Sequence, residues 1–189
     1  MTSPLRKTRD RVARVPHTTI EPLLNGSELH IRSVAPTDAA MEAAFFAHLP
    51  EHCRRFCFLG LIRQNGDAAS ALTSVDPACE VSLIGVVRHA GVDLQVGAAR
   101  FRCSGDGTRC DCAVAVDPDW QHLGVGSALM RHLIREAQRR GIKRMYAVDA
   151  VNCSDRHWLA QHLGFHRRID PEDPQVLTFE LELEPSRPA

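Results

Sequence analysis

The stretch VDPDWQHLGVGSALM, Val116 to Met130, sets Gln121 three residues ahead of a Gly-x-Gly pair and runs directly into an amphipathic segment. Backbone N–H groups in the first turn of a helix have no intrahelical partner, and the helix dipole adds partial positive charge there, so such a turn holds anions. Glycines let the main chain come close to phosphate oxygens. With a strand before it and a long helix after it, the loop Gln121-His122-Leu123-Gly124-Val125-Gly126 suits a diphosphate. A Walker loop would need a lysine after its last glycine, but Gly126 is followed by Ser127 and Ala128. A dinucleotide fingerprint would need a third glycine where Leu129 stands. Taken alone, the Gly-x-Gly pair also reads as a plain structural turn.

Cysteine and histidine offer less. Seven cysteines, at 53, 57, 79, 103, 110, 112 and 153, cannot all pair within one chain, so reduced thiols are expected. Cys103, Cys110 and Cys112 lie close together, but a CxC pair is not the usual zinc knuckle, and the ten histidines show no ligand spacing. No metal site is expected.

The elements that must position the loop fit one domain. The 189 residues carry 23 basic and 23 acidic side chains, a balance that gives no overall pull towards nucleic acid or membrane. No apolar run has membrane-spanning length and the start lacks a secretory core, so the expected location is the cytoplasm. Residues 1–18 read as a flexible basic tail, 19–183 as the folded domain and 184–189 as a short tail.

Leu29, Ile31 and Val34 alternate as a strand after the turn at Asn25-Gly26. Ala40, Ala44, Phe45 and Leu49 recur at helical spacing, with Thr37 or Asp38 as cap and Pro50 as stop. A second short helix is expected over 51–62, with Cys53, Phe56, Cys57 and Phe58 on its apolar face. Val81–Arg88 and Leu94–Cys103 read as a hairpin, and CDCAVAV, ending at Val116, as the strand feeding the loop. Ser127 to Arg140 is a helix with Ala128, Leu129, Leu133, Ile134 and Ala137 on one face and Gly141 as its stop. IKRMYAVDAV is a strand, SDRHWLAQHLG a helix capped by Ser154 or Asp155, and VLTFELEL the last strand. The fold class is mixed α/β.

From AVAVDPDW to the closing Gly164-Phe165, the order strand, Q-x-x-G-x-G loop, helix, strand, Asn152, helix, Gly-Phe resembles the acyl-CoA-binding half of the GNAT acetyltransferase superfamily. Two further stretches, IRSVAPTDAAMEAAFFAHLPEHCRRFCF and LTSVDPACEVSLIGVV, are similar to the acetyltransferase domain of bacterial protein lysine acetyltransferases that modify acyl-CoA synthetases. The resemblance spans about 22–183 and implies the GNAT fold, a central mixed and mostly antiparallel sheet flanked by helices. It also implies acetyl-CoA as co-substrate, no metal, and an amine acceptor: a protein lysine, or alternatively a small amine. A third alternative is an acyl-CoA-binding regulatory domain without catalysis, and the protein is expected as a monomer or homodimer.

By that resemblance, main-chain groups of Val114, Ala115 and Val116 hold the pantetheine arm. Gln121, His122, Leu123, Gly124, Val125, Gly126, Ser127 and Ala128 hold the diphosphate, and Asn152 lies near the pantetheine. Where the protein-acetyltransferase group carries a glutamate base this chain has Asp111, one methylene shorter. Where many members have a tyrosine acid it has Ala160, a departure familiar in that group; the only tyrosine is Tyr146. A covalent route through Cys112 or Cys153 lacks a partner histidine at a telling spacing.

Overall fold

The computed structural model describes residues 18–51, 53, 76, 78–150, 154–169 and 176–184. Among them, eight strands form one sheet: β1 (Thr19–Pro22), β2 (Glu28–Ser33), β3 (Glu80–His89), β4 (Val92–Cys103), β5 (Arg109–Val116), β6 (Arg144–Ala150), β7 (His166–Ile169) and β8 (Val176–Glu182). Their spatial order is β1-β2-β3-β4-β5-β6-β8-β7. Every neighbouring pair is antiparallel except β5 with β6. The α-helices α1 (Ala39–His48), α2 (Val125–Arg139) and α3 (Ser154–His162) accompany them.

The two faces of the sheet are covered by different helices. α2 buries Ala128, Leu129, Leu133 and Ala137 in the main core with Val96, Phe101, Cys110 and Cys112 of the sheet, while its Arg131, Arg135 and Arg139 stay exposed. On the opposite face α1 sets Phe45 and Leu49 against Ala98 and Ala115, with Ala113 beside them. Covering from both sides explains why β3 is buried without a break from Glu80 to Val87.

Gly85 and Gly97 face each other across β3 and β4, and the register slips immediately after them so that Val96 becomes an extra residue. A Cβ on Gly97 would stand 2.7 Å from Leu129 Cδ1 and 2.8 Å from Val125 Cγ1. The bare backbone at Gly97 therefore lets the first turn of α2 settle directly on the sheet.

The structure adds two edge strands that alternation did not reveal. β1 leaves Ile20 exposed, and β7 is HRRI with three exposed polar residues, so neither carries a half-buried pattern. α2 begins at Val125, two residues ahead of the expected Ser127. Asp38 is not a forward cap: its side chain accepts no hydrogen bond from the start of α1. It reaches back instead, taking Arg32 at 2.6 and 2.8 Å and the N–H of Ala35 at 2.7 Å. Of the second short helix, Glu51 and Cys53 alone fall within the described residues.

Candidate active site

β5 and β6 pair only from Arg109↔Arg144 to Asp111↔Tyr146, then part. Beyond Asp111, no strand among the described residues lies beside the β5 edge from Cys112 to Val116 on the β6 side, which leaves main-chain donors and acceptors for another partner. The wedge opens into a cavity continuous with solvent, whose walls include Cys112 and Val114 of β5, Ala147 of β6, Met130 of α2, Ala160 of α3 and Phe179 of β8. A slender arm carrying amides fits this shape: apolar walls for its methylenes and an open strand edge for its polar groups.

At the far end of β5 the chain turns through Pro118–Trp120 into the glycine loop. Asp117 is buried; its Oδ1 accepts from the Asp119 N–H at 3.0 Å and its Oδ2 meets His48 Nδ1 of α1 at 2.7 Å. That carboxylate raises the imidazole pKa above its ordinary value. A second brace is the Leu24 N–H donating to the Leu123 carbonyl at 3.1 Å. An aspartate ahead of a proline is a readable turn signal, whereas nothing in the sequence marks His48 or Leu24 as braces.

Two residues in the loop adopt positive φ, His122 at 59° and Gly124 at 97°. Gly124 is the N-cap of α2 and makes no side-chain cap, so the N–H groups of Val125, Gly126 and Ser127 face out of the helix without intrahelical acceptors. Gly126 has a separate reason to be small: a Cβ there would lie 3.2 Å from Leu159 Cδ2 of α3 and 3.4 Å from Val116 Cγ2. Gln121 Nε2 reaches back to the Val116 carbonyl at 3.5 Å. From Val116 to Asp111 is five residues of strand, about 17 Å at the usual rise.

Asp111 stands at the apex where β5 and β6 separate, on the sheet face shared with Ala113, Ala115 and α1. Partial burial raises its carboxyl pKa above the usual aspartate value, and Arg102, its register partner on β4, only partly offsets this. Arg102 is committed through Nε to Glu80. Tyr146, opposite Asp111 on β6, donates its hydroxyl to Glu180 at 3.1 Å.

The structure thus brings together Asp111, the β5 edge from Val114 to Val116 and the loop from Gln121 to Ala128. Asn152 lies outside the described residues, as do Cys57, Cys153, Arg54, Arg55 and Arg63. Among the described residues no three His, Cys, Asp or Glu side chains converge as metal ligands, and no helix is long and apolar enough to cross a membrane.

Burial pushes the Cys112 thiol well above its ordinary pKa and that of Cys110 to about 12. A thiol held neutral is a poor nucleophile. Iodoacetamide applied to the native protein should leave both unmodified and label them only after denaturation, as peptide mass spectrometry would record. Rapid native labelling of Cys112 with loss of turnover would revive the covalent route.

A sequence profile described as the acetyltransferase (GNAT) family matches residues 67–165. An acetyltransferase of Pseudomonas aeruginosa is 32% identical over 165 residues, spanning 87% of this chain and 89% of that one. The Escherichia coli ribosomal protein bS18-alanine N-acetyltransferase is 38% identical over 53 residues, or 28% of this chain and 36% of its own. Among solved structures, the GNAT domain of Streptomyces lividans PAT superposes with a TM-score of 0.74 at 19% identity, covering 88% of this chain and 97% of that domain. At that identity the superposition speaks for the fold. The splayed sheet and the glycine turn at a helix start define an acyl-CoA N-acyltransferase fold, and the profile and the Pseudomonas relative carry this further. The chain belongs to the GNAT acetyltransferase family and is an acetyl-CoA-dependent N-acetyltransferase.

Proposed function

We propose that this enzyme acetylates a protein amine, with a lysine side chain as the leading acceptor, by direct attack in a ternary complex, and that Asp111 is the base. The position of Asp111 carries this reading: it stands at the apex of the wedge, with β5 running from it towards the glycine turn, and on the face beneath α1.

Acetyl-CoA supplies the electrophile, a thioester carbon. The N–H groups of Val125, Gly126 and Ser127 would hold its diphosphate, with Gln121, His122, Leu123, Gly124 and Ala128 shaping the turn. Main-chain groups of Val114, Ala115 and Val116 would bind the arm as a strand does, and Asn152 is assigned to the same arm by the family resemblance. A lysine ammonium has an ordinary pKa of about 10.4, so its neutral fraction at pH 7 is small. Asp111 would accept that proton, directly or through one water, as the nitrogen attacks. Ala160 lines the cavity where many relatives carry a tyrosine and offers no hydroxyl; the Tyr146 hydroxyl is engaged by Glu180. The departing thiolate would therefore take its proton from water.

CoA release should be followed with three acceptor sets: acyl-CoA synthetases and other proteins with accessible lysines, peptides with a free N-terminal alanine, and polyamines or amino acids. Turnover on lysine, mapped by mass spectrometry, supports the reading. Preference for an α-amine or a small amine replaces it, and tight acetyl-CoA binding without turnover on any set would point to a regulatory module.

The glycine turn makes a separate prediction. Gly124 at φ 97° has open space around it, so Gly124→Ala meets conformational strain alone, about 1 kcal/mol. Where the free turn relaxes to escape that strain, the Val125 and Gly126 N–H groups turn away and binding must restore them, so the acetyl-CoA Kd should rise about fivefold by calorimetry with kcat nearly unchanged. An unchanged Kd would remove this turn from the binding site.

A further inference from the structure

Asp111 belongs to a row of side chains that crosses the sheet at one register level. Glu80 of β3 faces Arg102 of β4, which faces Asp111 of β5, followed by Tyr146 of β6, Glu180 of β8 and His166 of β7. Register partners share a sheet face about 5 Å apart, so Asp111 lies between two side chains that could donate to it. Both are engaged elsewhere. Arg102 gives its Nε–H to Glu80, a buried carboxylate, and Tyr146 gives its hydroxyl to Glu180 at 3.1 Å. Among the described residues no hydrogen bond reaches Asp111; burial and the charge of Arg102 act on it instead. The other charged groups of this face have their own surroundings. Arg144, two residues before Tyr146, and Arg168 lie 3.6 and 3.3 Å from Glu180. Arg100, two residues before Arg102, is buried within reach of the Glu80 and Glu42 charges. On α1, Glu42 takes Gln95 at 2.5 Å and His48 meets Asp117. Arg109, two residues before Asp111, is exposed.

We infer that Glu80 is a positioning residue for the transfer: it holds the Arg102 guanidinium to itself and so leaves the Asp111 carboxylate free for the acceptor's proton. The inference rests on Asp111 as the base proposed above. Glu80 wins Arg102 because a buried carboxylate has no water to fall back on and is tolerable only when paired, whereas Asp111 is more exposed and hydrated. Without Glu80, the guanidinium is left on the same face as Asp111, in the next strand, and that carboxylate becomes its partner. A carboxylate so paired is a weaker base and is shielded from the incoming amine. Glu80 acts through Arg102 and touches no reacting atom.

The test reads the Asp111 titration directly, by carbon NMR on protein carrying carboxyl-labelled aspartate, with the signal assigned by its loss in Asp111→Asn. Circular dichroism shows that each variant is folded. Glu80→Met should lower the Asp111 midpoint by about one pH unit as Arg102 swings to it. Glu80→Gln, which keeps an acceptor for the Arg102 Nε–H, should lower it by less. Combining Glu80→Met with Arg102→Met should return the midpoint to the wild-type value or above, because the guanidinium is gone. With an acceptor from the sets above, Glu80→Met should release CoA more slowly at neutral pH, and the acidic limb of its rate should move down with the midpoint. A midpoint unmoved in both Glu80 variants, or lowered equally when Arg102 is absent, would overturn the inference. Undiminished turnover in Asp111→Asn would instead overturn the base assignment, whatever Glu80 does, which separates the two failures.

Discussion

Replacing Asp111 with asparagine should lower kcat for amine acetylation by about 10²- to 10⁴-fold, the range for loss of a positioned general base, while leaving the acetyl-CoA Kd within about twofold. The asparagine keeps the size of the side chain and removes its proton affinity, and about 17 Å of strand separates Asp111 from Val116, with the turn proposed for the diphosphate beyond it, so binding and chemistry are separable. The pH profile gives a second readout. Burial raises the Asp111 pKa; the carboxyl must be ionised to accept a proton, so activity should fall as pH drops through a value above that of free aspartate. In the variant that limb should vanish from the residual rate. Asp111→Glu, which restores the length found in the protein-acetyltransferase group, should retain activity. A variant Asp111→Asn with wild-type kcat on its true acceptor would sink the assignment and move the search for a base to another residue or to a chain of waters.

Gly97→Val should cost stability and co-substrate binding together. A Cβ at this position enters the space of Leu129 Cδ1 and Val125 Cγ1, with the Ala115 carbonyl 3.3 Å away. Leu129 and Val125 are essentially buried and have little room to retreat. Overpacking of this kind costs about 1–3 kcal/mol, more than the few tenths to 1 kcal/mol gained by removing glycine's freedom in the unfolded chain. At about 2–4 °C per kcal/mol for a chain of this size, Tm should drop by several degrees. Relief comes most readily if the first turn of α2 lifts off the sheet, which displaces the N–H groups of Val125 and Gly126 and should weaken acetyl-CoA binding about tenfold. Gly105→Ala is the control: no atom lies within 4 Å of its added Cβ, so Tm and Kd should both hold. A Gly97→Val protein as stable as wild type would mean that α2 does not rest on this strand as closely as described.

Much of this arrangement was legible before any coordinates. Alternation gave β2, β3, β4, β5 and β8 because each buries at least one face, and the 3.6-residue period gave α2 because its arginines and leucines segregate cleanly. The turn from Gln121 to Gly126 was readable because a sharp strand-to-helix turn with positive φ favours glycine, here at Gly124. The edge strands were not: β1 and β7 are four residues each, and pairing with one neighbour asks little of their side chains. The pairing of Gly85 with Gly97 was hidden for a different reason, since close approach of a helix is a property of two distant segments. The same holds for His48 and Asp117, 69 residues apart. Asp111 could be placed in sequence, but its position where β5 and β6 separate depends on how few residues of those strands pair.

Those three paired positions, Arg109 to Asp111, have a thermodynamic consequence. A sheet whose halves are joined by so short a seam has unfilled backbone valence along its middle, and any molecule lying along β5 acts as a surrogate strand. By mass action a ligand at a hundredfold its Kd adds about 2.7 kcal/mol to the folded state. The enzyme should be sturdiest when its acyl donor is abundant and most vulnerable to proteolysis in starvation, so its lifetime would follow the supply of the molecule it spends.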